Sequence, residues 1–276
     1  MSSKQFLTLS PPHTYRAAYQ EAGTGSPIVL LHGFMGDSSN WRFLVPLLQS
    51  RHRCISLDLL GFGDSSKPQI RYDIAQQVEF LDQVIAALGL ENCAIAGHSL
   101  GGWVASAYAL AHPDRVRALV LVAPAGIRDD SFCGKYDHLR PLLWQTPIVD
   151  WALSLADPIA PLLGQEKNLN QLRWFRRELN AQPAARSFLV DRLRPEDAID
   201  TVEKEIHRLR VPTLVIAGEL DETIPMWHCQ TYAREILHAQ LEIIPHADHA
   251  LPQKNSESIA TLVEPFLAQL EAAIDQ

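Results

Sequence analysis

Apolar positions along this chain fall into two rhythms. Short runs rich in β-branched residues recur at 27–31, 54–57, 93–96, 118–122, 213–216 and 241–244. Continuous runs of this kind suit strands buried on both faces, which predicts a parallel sheet covered by helices. Turn residues close each run: His32-Gly33, Asp58, Gly97, Ala123-Pro124, Ala217-Gly218 and Pro245. Ahead of them, 5–10 and 14–20 predict an antiparallel pair at one edge. Tyr15, Ala17 and Tyr19 there alternate with Thr14, Arg16 and Gln20.

The second rhythm is helical. From Asp73, a capping residue with Gln76 three positions on, a stripe runs through Ile74, Val78, Leu81, Val84, Ile85 and Leu88, and Gly89 stops it. A helix is predicted over 104–111, ended by His112-Pro113. The last stripe comprises Ile259, Leu262, Val263, Phe266, Leu267 and Leu270, and Pro265 predicts a kink or restart within it. Strands alternating with helices predict an α/β fold with a mostly parallel, doubly wound sheet.

One connection exceeds what its topology needs. Ninety residues separate Val122 from Thr213, whereas a parallel crossover requires only about a dozen. Residues 128–205 therefore read as an inserted helical cap, with 1–127 and 206–276 forming the body. Trp144, Trp151 and Trp174 fall in the insert, and prolines at 141, 147, 158 and 161 cut its helices short. These tryptophans either fasten the cap to the body or line a pocket.

Composition narrows the partners. The 276 residues are 47% hydrophobic and 20% charged, enough to bury a large core. A formal charge of -8 argues against a nucleic-acid partner. The one basic cluster, Arg173, Arg176 and Arg177 around Trp174 and Phe175, reads as a solvated helix face. Cys54, Cys93, Cys133 and Cys229 are isolated and form no CxxC pair. With no leader pattern and no bilayer-length apolar run, the expectation is a reduced, cytoplasmic protein without a stable membrane anchor. Its oligomeric state, monomer or homodimer, stays open.

Against that background one serine stands out. Gly97-His98-Ser99-Leu100-Gly101 is a G-x-S-x-G string lying between a predicted strand and a predicted helix. Such a turn forces strained dihedrals and lifts the hydroxyl to the carboxyl edge of the sheet, where open α/β sheets bind ligands. A serine nucleophile needs a histidine base held by a third group. Asp221 follows the run at 213–216 and His249 follows the run at 241–244, so the order is Ser, Asp, His. His246 competes as base and Asp248 as orienting acid. Glu219 reads as part of a turn. A metal site on His246, Asp248 and His249 lacks a matching ligand cluster, so none is expected. For the developing oxyanion, the backbone N–H groups of Phe34 and Leu100 are the natural donors, although Gly33 and Gly36 would also suit a plain turn. His32 reads as a brace for that loop.

Together with Asp58 to Ser65 (DLLGFGDS), Gly102 and Gly218-Glu219-Leu220-Asp221, these residues resemble the α/β-hydrolase fold family over nearly the whole chain. The resemblance implies Ser99 as nucleophile, His249 as base, Asp221 as orienting acid, and Phe34 and Leu100 as oxyanion donors. It also marks 58–65 as a structural tight loop. Asp248 departs from the family, many members of which carry glycine before the histidine. A serine at position 99 sets the chain apart from the aspartate-nucleophile dehalogenases and epoxide hydrolases and from the cysteine-nucleophile dienelactone hydrolases.

The expected chemistry is cofactor-free hydrolysis of a small or medium apolar carboxylic ester through an acyl-enzyme. Phe34, Trp103, Trp144 and Trp151 are candidate substrate contacts. Carbon–carbon bond hydrolysis of dienoic diketo acids uses a similar triad and cap and is the alternative. Thioester hydrolysis, cofactor-free lyase chemistry, a low-turnover ligand-binding receptor, and lipid-surface action through 142–163 complete the set.

Overall fold

The structure, a computed structural model, describes residues 3–10, 14–132, 144, 146–191 and 200–274. Eight strands form one sheet: β1 (Gln5–Thr8), β2 (Arg16–Ala22), β3 (Ser26–Leu31), β4 (His52–Leu57), β5 (Cys93–His98), β6 (Val116–Val122), β7 (Thr213–Gly218) and β8 (Ala239–Ile244). Their spatial order is β1-β2-β4-β3-β5-β6-β7-β8. The first two strands pair antiparallel at one edge, β2 pairs antiparallel with β4, and every later pairing is parallel. The chain leaves β3 for β4 on one side and then crosses to β5 on the other. That reversal leaves a crevice at the carboxyl ends of β3 and β5.

Nine α-helices are present among the described residues: α1 (Val45–Leu48), α2 (Ile74–Ala87), α3 (Leu100–Ala111), α4 (Pro147–Leu155), α5 (Glu166–Ala181), α6 (Pro183–Asp191), α7 (Met226–Glu235), α8 (Leu251–Lys254) and α9 (Ser256–Ile274). Because strand side chains alternate, the apolar runs feed two cores. Val29, Leu31, Ile95, Leu119 and Val215 join α2, α3 and α7 on one face. Ile28, Leu30, Ala94, Val120 and Ile216 join α1, α8 and α9 on the other. Burying each such Val, Leu or Ile contributes about 1.5–3 kcal/mol.

Asp73 caps α2 as its spacing predicts, its Oδ1 accepting from the Gln76 N–H at 2.8 Å. Two expectations need correction. α3 begins at Leu100 rather than 104: the chain enters the helix directly from Ser99, despite the glycines at 101 and 102. Of the kink or restart expected at Pro265, the restart does not occur: α9 is one uninterrupted element with the proline inside it. Its stripe supplies Ile259, Val263, Phe266 and Leu267 to the core, and that burial outweighs the lost backbone hydrogen bond.

Helices α4, α5 and α6 lie between β6 and β7. Leu179, Ala184, Ala185 and Phe188 of α5 and α6 are buried in the same core cluster as the sheet. The Tyr72 N–H donates to Ser187 Oγ at 3.1 Å, and the Ile74 N–H to Asp200 Oδ2 at 3.2 Å. The basic cluster at 173–177 is a solvated face at Trp174 and Arg177, which are 51% and 73% exposed, but not at Arg176. Arg176 is only 4% exposed and forks onto both oxygens of Asp150 at 2.7 and 2.8 Å. It also donates to the carbonyls of Trp144 and Thr146. Arg173 binds Asp157 and the Leu153 carbonyl. Helical spacing hid these pairs because their acids lie on a different helix or turn. Cys54, Cys93 and Cys229 are buried, and burial pushes each thiol up to about 12; Cys133 lies outside the described residues.

Candidate active site

Four loops leave the carboxyl ends of β3, β5, β7 and β8 on neighbouring register, Leu31 beside Gly97 and Gly218 beside Ile244. Ser99 follows β5 directly with φ 53° and ψ -115°, a left-handed conformation that costs a non-glycine residue about 1–3 kcal/mol. Its backbone holds the turn on every side. The N–H donates to the Val122 carbonyl at 3.0 Å, and its carbonyl accepts from Gly102, Trp103 and Ala125. A Cβ at residue 101 would stand 2.2 Å from the Leu31 carbonyl oxygen, so only glycine lets α3 start this close to β3.

The loop after β8 brings His249 to the loop after β7. The His249 Nδ1–H donates to Asp221 Oδ2 at 2.7 Å, with side-chain exposures of 23% and 3%. The other carboxylate oxygen, Oδ1, accepts from the N–H groups of Thr223 and Ile224 at 2.8 and 2.9 Å. The Asp221 carboxylate is thereby fixed in orientation where it meets the imidazole. The competing residues face elsewhere. The His246 side chain is 90% exposed and its N–H donates to Glu219 Oε2 at 2.8 Å. Asp248 pairs with Lys254 and accepts from the Ala250 N–H. These three partners differ, so His246, Asp248 and His249 do not converge as a ligand set.

His98 went unnoticed in the sequence. Its ring lies 4.7 Å from the His249 ring, and its Nε2–H donates to the His249 carbonyl at 2.9 Å. Burial, with His249 beside it, lowers its pKa to about 3. A neutral imidazole next to the serine thus carries the loop of the other histidine. The signal was available: an unpaired histidine between a buried strand and a serine must donate somewhere.

The Gly33 loop closes the remaining side. A Cβ on Gly33 would lie 2.8 Å from His98 Nδ1 and 3.2 Å from Ser99 Cβ, so the backbone of this loop runs against the serine. His32 Nε2 accepts from the Leu59 N–H at 3.0 Å, which leaves the proton on Nδ1 to donate to the Gly33 carbonyl at 2.7 Å. The Gly36 N–H binds the same carbonyl at 3.0 Å. In a trans peptide the N–H points opposite the carbonyl, so pinning the Gly33 oxygen fixes the direction of the Phe34 N–H. Complete burial lowers the His32 pKa and keeps that ring neutral. On the other side, the Leu100 N–H is the first of α3 and has no partner within the helix.

The aromatic candidates separate. Phe34 is partly buried with its ring 6.3 Å from Phe62. Trp103 packs against the core and donates its Nε1–H to the Asp200 carbonyl at 3.1 Å, tying α3 to the inserted segment. Trp144 and Trp151 stand 60% and 65% exposed.

A profile for the alpha/beta hydrolase fold matches residues 26–252, a span that takes in β3 to β8 and the loops just described. The chain belongs to that family. It is similar to the 2-hydroxymuconate semialdehyde hydrolase of Pseudomonas sp. (strain CF600), with 31% identity over 269 residues covering 94% of this chain and 92% of that one. Among solved structures it resembles a meta-cleavage product hydrolase from Pseudomonas fluorescens IP01, with 26% identity, a TM-score of 0.72, and 96% and 97% coverage. It also resembles a membrane phospholipase A, with 25% identity, a TM-score of 0.75, and 98% and 86% coverage.

Proposed function

We propose that this chain is a serine hydrolase of apolar carboxylic esters, with Ser99 as nucleophile, His249 as general base and Asp221 as its orienting acid. The observation that carries the reading is the left-handed serine at the end of β5 beside a histidine loop whose imidazole is held by a buried, doubly anchored carboxylate. His249 Nε2 takes the Ser99 proton as the oxygen attacks the substrate carbonyl. The oxyanion rests on the N–H groups of Phe34 and Leu100, one fixed by His32 and the other at a helix N-terminus. His249 returns its proton to the leaving alcohol, and a water activated by the same imidazole releases the acid. The chemistry uses side chains and backbone of this chain alone. Residues 128–205 serve as the cap over this edge, with Phe34 and Trp103 as the substrate contacts nearest the serine; Trp144 and Trp151 belong to the cap.

Carbon–carbon hydrolysis is the second reading, favoured by the similarity to the semialdehyde hydrolase over nearly the full length. A dienoate substrate brings a carboxylate that needs a cation. Among the described residues, Arg128, Arg173, Arg176 and Arg177 instead face Asp130, Asp157, Asp150 and Glu178 of this chain, which supports a neutral ester.

The test is a panel of p-nitrophenyl esters of rising chain length, run beside a ring-cleavage dienoic diketo acid. Ester turnover that disappears with labelling by a fluorophosphonate probe in Ser99→Ala is expected. Turnover of the diketo acid alone would replace the ester reading with the second one. A single burst without steady-state release would make the chain a receptor.

A further inference from the structure

The Phe34 N–H takes its direction from the Gly33 carbonyl, which His32 pins. The Leu100 N–H belongs to the peptide whose carbonyl is that of Ser99. Whatever holds the Ser99 oxygen therefore aims the Leu100 N–H the opposite way. Three N–H groups hold that oxygen: Gly102 at 2.9 Å, Trp103 at 3.2 Å and Ala125 at 3.0 Å. The first two belong to α3 itself, whose first turn contains the adjacent glycines 101 and 102. Each glycine weakens a helix by about 1 kcal/mol relative to alanine. Of the three donors, Ala125 alone ties the peptide to something outside the helix.

Ala125 sits in the loop that follows β6, and that loop is strained. Ala123 has φ 43° without being glycine, a conformation that persists only where its surroundings over-determine it. The Ala123 N–H donates to the Ile216 carbonyl of β7 at 2.8 Å. Two residues on, the Tyr232 hydroxyl of α7 donates to the Ala125 carbonyl at 2.7 Å. Tyr232 is completely buried, and burial raises its pKa, so the hydroxyl keeps its proton and donates. Gly126 makes the approach possible: a Cβ there would stand 2.8 Å from the Tyr232 oxygen and 2.7 Å from the Trp103 ring. The hydroxyl thus completes a chain of hydrogen bonds from α7 through Ala125 to the Ser99 peptide. Without it, residue 125 loses its side-chain anchor.

We propose that the Tyr232 hydroxyl is a positioning group for the oxyanion: through Ala125 and the Ser99 carbonyl it sets the direction of the Leu100 N–H. The catalytic consequence rests on the serine-hydrolase reading, whereas the hold on the peptide does not. The oxyanion forms only as the serine adds, so a misaimed donor lowers turnover and leaves substrate binding alone. Deleting an oxyanion donor outright costs about 10²–10³-fold in kcat, and misaiming one should cost about tenfold.

The test is Tyr232→Phe in the full chain, which removes one oxygen and keeps the ring, compared with Tyr72→Phe. Tyr72 is also completely buried, and its hydroxyl donates to the Pro68 carbonyl at 2.7 Å, a bond that holds the stretch leading into α2 instead of the serine. Hydrolysis of p-nitrophenyl esters is counted per serine titrated with a fluorophosphonate, so an unfolded fraction drops out. For Tyr232→Phe, kcat should fall about tenfold with KM within about twofold. A trifluoromethyl ketone, whose adduct places an oxyanion on the same donors, should bind about tenfold more weakly. Amide hydrogen exchange at Ala125 should quicken by about tenfold or more. Tyr72→Phe, with a similar drop in Tm, should keep kcat, ketone affinity and Ala125 exchange within about twofold. In Tyr232→Phe, unchanged kcat and ketone affinity, a rise in KM in place of the fall in kcat, or unchanged Ala125 exchange overturns the inference. An equal loss of kcat in Tyr72→Phe also overturns it. A wild type that turns over no ester, with Ala125 exchange still quickened by Tyr232→Phe, ends the ester reading and leaves the hold on the Leu100 peptide standing.

Discussion

Asp58, in the body, and Asp150, in the inserted helices, are held in opposite ways. The Asp58 side chain is fully buried, and the chain folds around it: the N–H groups of Ser38 and Asp64 donate at 2.6 and 2.8 Å, and Lys4 Nζ at 2.9 Å. Asp150 stays 61% exposed, and the buried member of its pair is Arg176. In the first arrangement one carboxylate orders two stretches of backbone, the loop after β3 and the loop after β4. In the second, two arginine side chains hold α4 without any buried apolar residue on that helix. The difference separates a rim whose atoms are fixed by main-chain hydrogen bonds from a surface helix that is only tethered.

That contrast orders the expected effects. The largest lies at the rim. Asp221→Asn, which leaves the carboxylate's shape but misorients the imidazole, should lower kcat on the order of 10⁴-fold with little change in Tm, measured by steady-state ester hydrolysis. A loss under tenfold would mean that another carboxylate holds His249.

Next comes Asp58→Ala, expected to cost on the order of 3 kcal/mol by urea unfolding, since it strands the buried Ser38 N–H and the part-buried Asp64 N–H. Burial opposes the charge on Asp58, but the Asp64 and Ser38 groups and Lys4 hold its pKa below the ordinary carboxylate value. Its contribution is therefore complete above that ordinary value and is lost as pH falls through the lower folded one. The variant's stability should change less between pH 5 and pH 3 (roughly the carboxylate range) than the wild type's.

Arg176→Leu should act on the inserted helices alone. Limited proteolysis within 146–164 should accelerate on the order of tenfold while the sheet's unfolding midpoint holds. Equal loss of both would show that α4 and the sheet unfold as one unit.

The smallest effect separates His98→Gln from His98→Phe. Gln retains a donor for the His249 carbonyl and should keep kcat within about threefold, while Phe should lose roughly tenfold at unchanged KM. The pH dependence has a definite sign. His98 stays neutral in the folded protein with its pKa lowered to about 3, whereas the unfolded chain protonates it below about 6.5. Stability from this group is complete above that value and falls as pH drops, so either variant should lose less Tm between pH 7 and pH 4 than the wild type.

The sheet was largely legible from the sequence because strands buried on both faces write continuous apolar runs. Observed strands exceed the runs by one or two residues, as at His52–Leu57, where His52 and Arg53 pair with Ser26 and Pro27 in the ladder. Turn chemistry and order along the chain single out Ser99, Asp221 and His249, and the structure brings the last two into contact. What escaped depended on contacts between distant elements. Arg176 reads as surface because its acid is 26 residues away. His98 gains no role of its own from the G-x-S-x-G string because its acceptor is 151 residues away. The exposure of α4 escaped for a different reason: its composition is that of a core helix, and composition does not record what covers it.

The hydrogen bond from His98 to the His249 carbonyl has a mechanical side. Ser99 is bonded covalently to the residue that grips the main chain of His249. A displacement of the β5 terminus therefore pulls on Ser99 and on the His249 loop in one direction, and their relative position changes less than either absolute position.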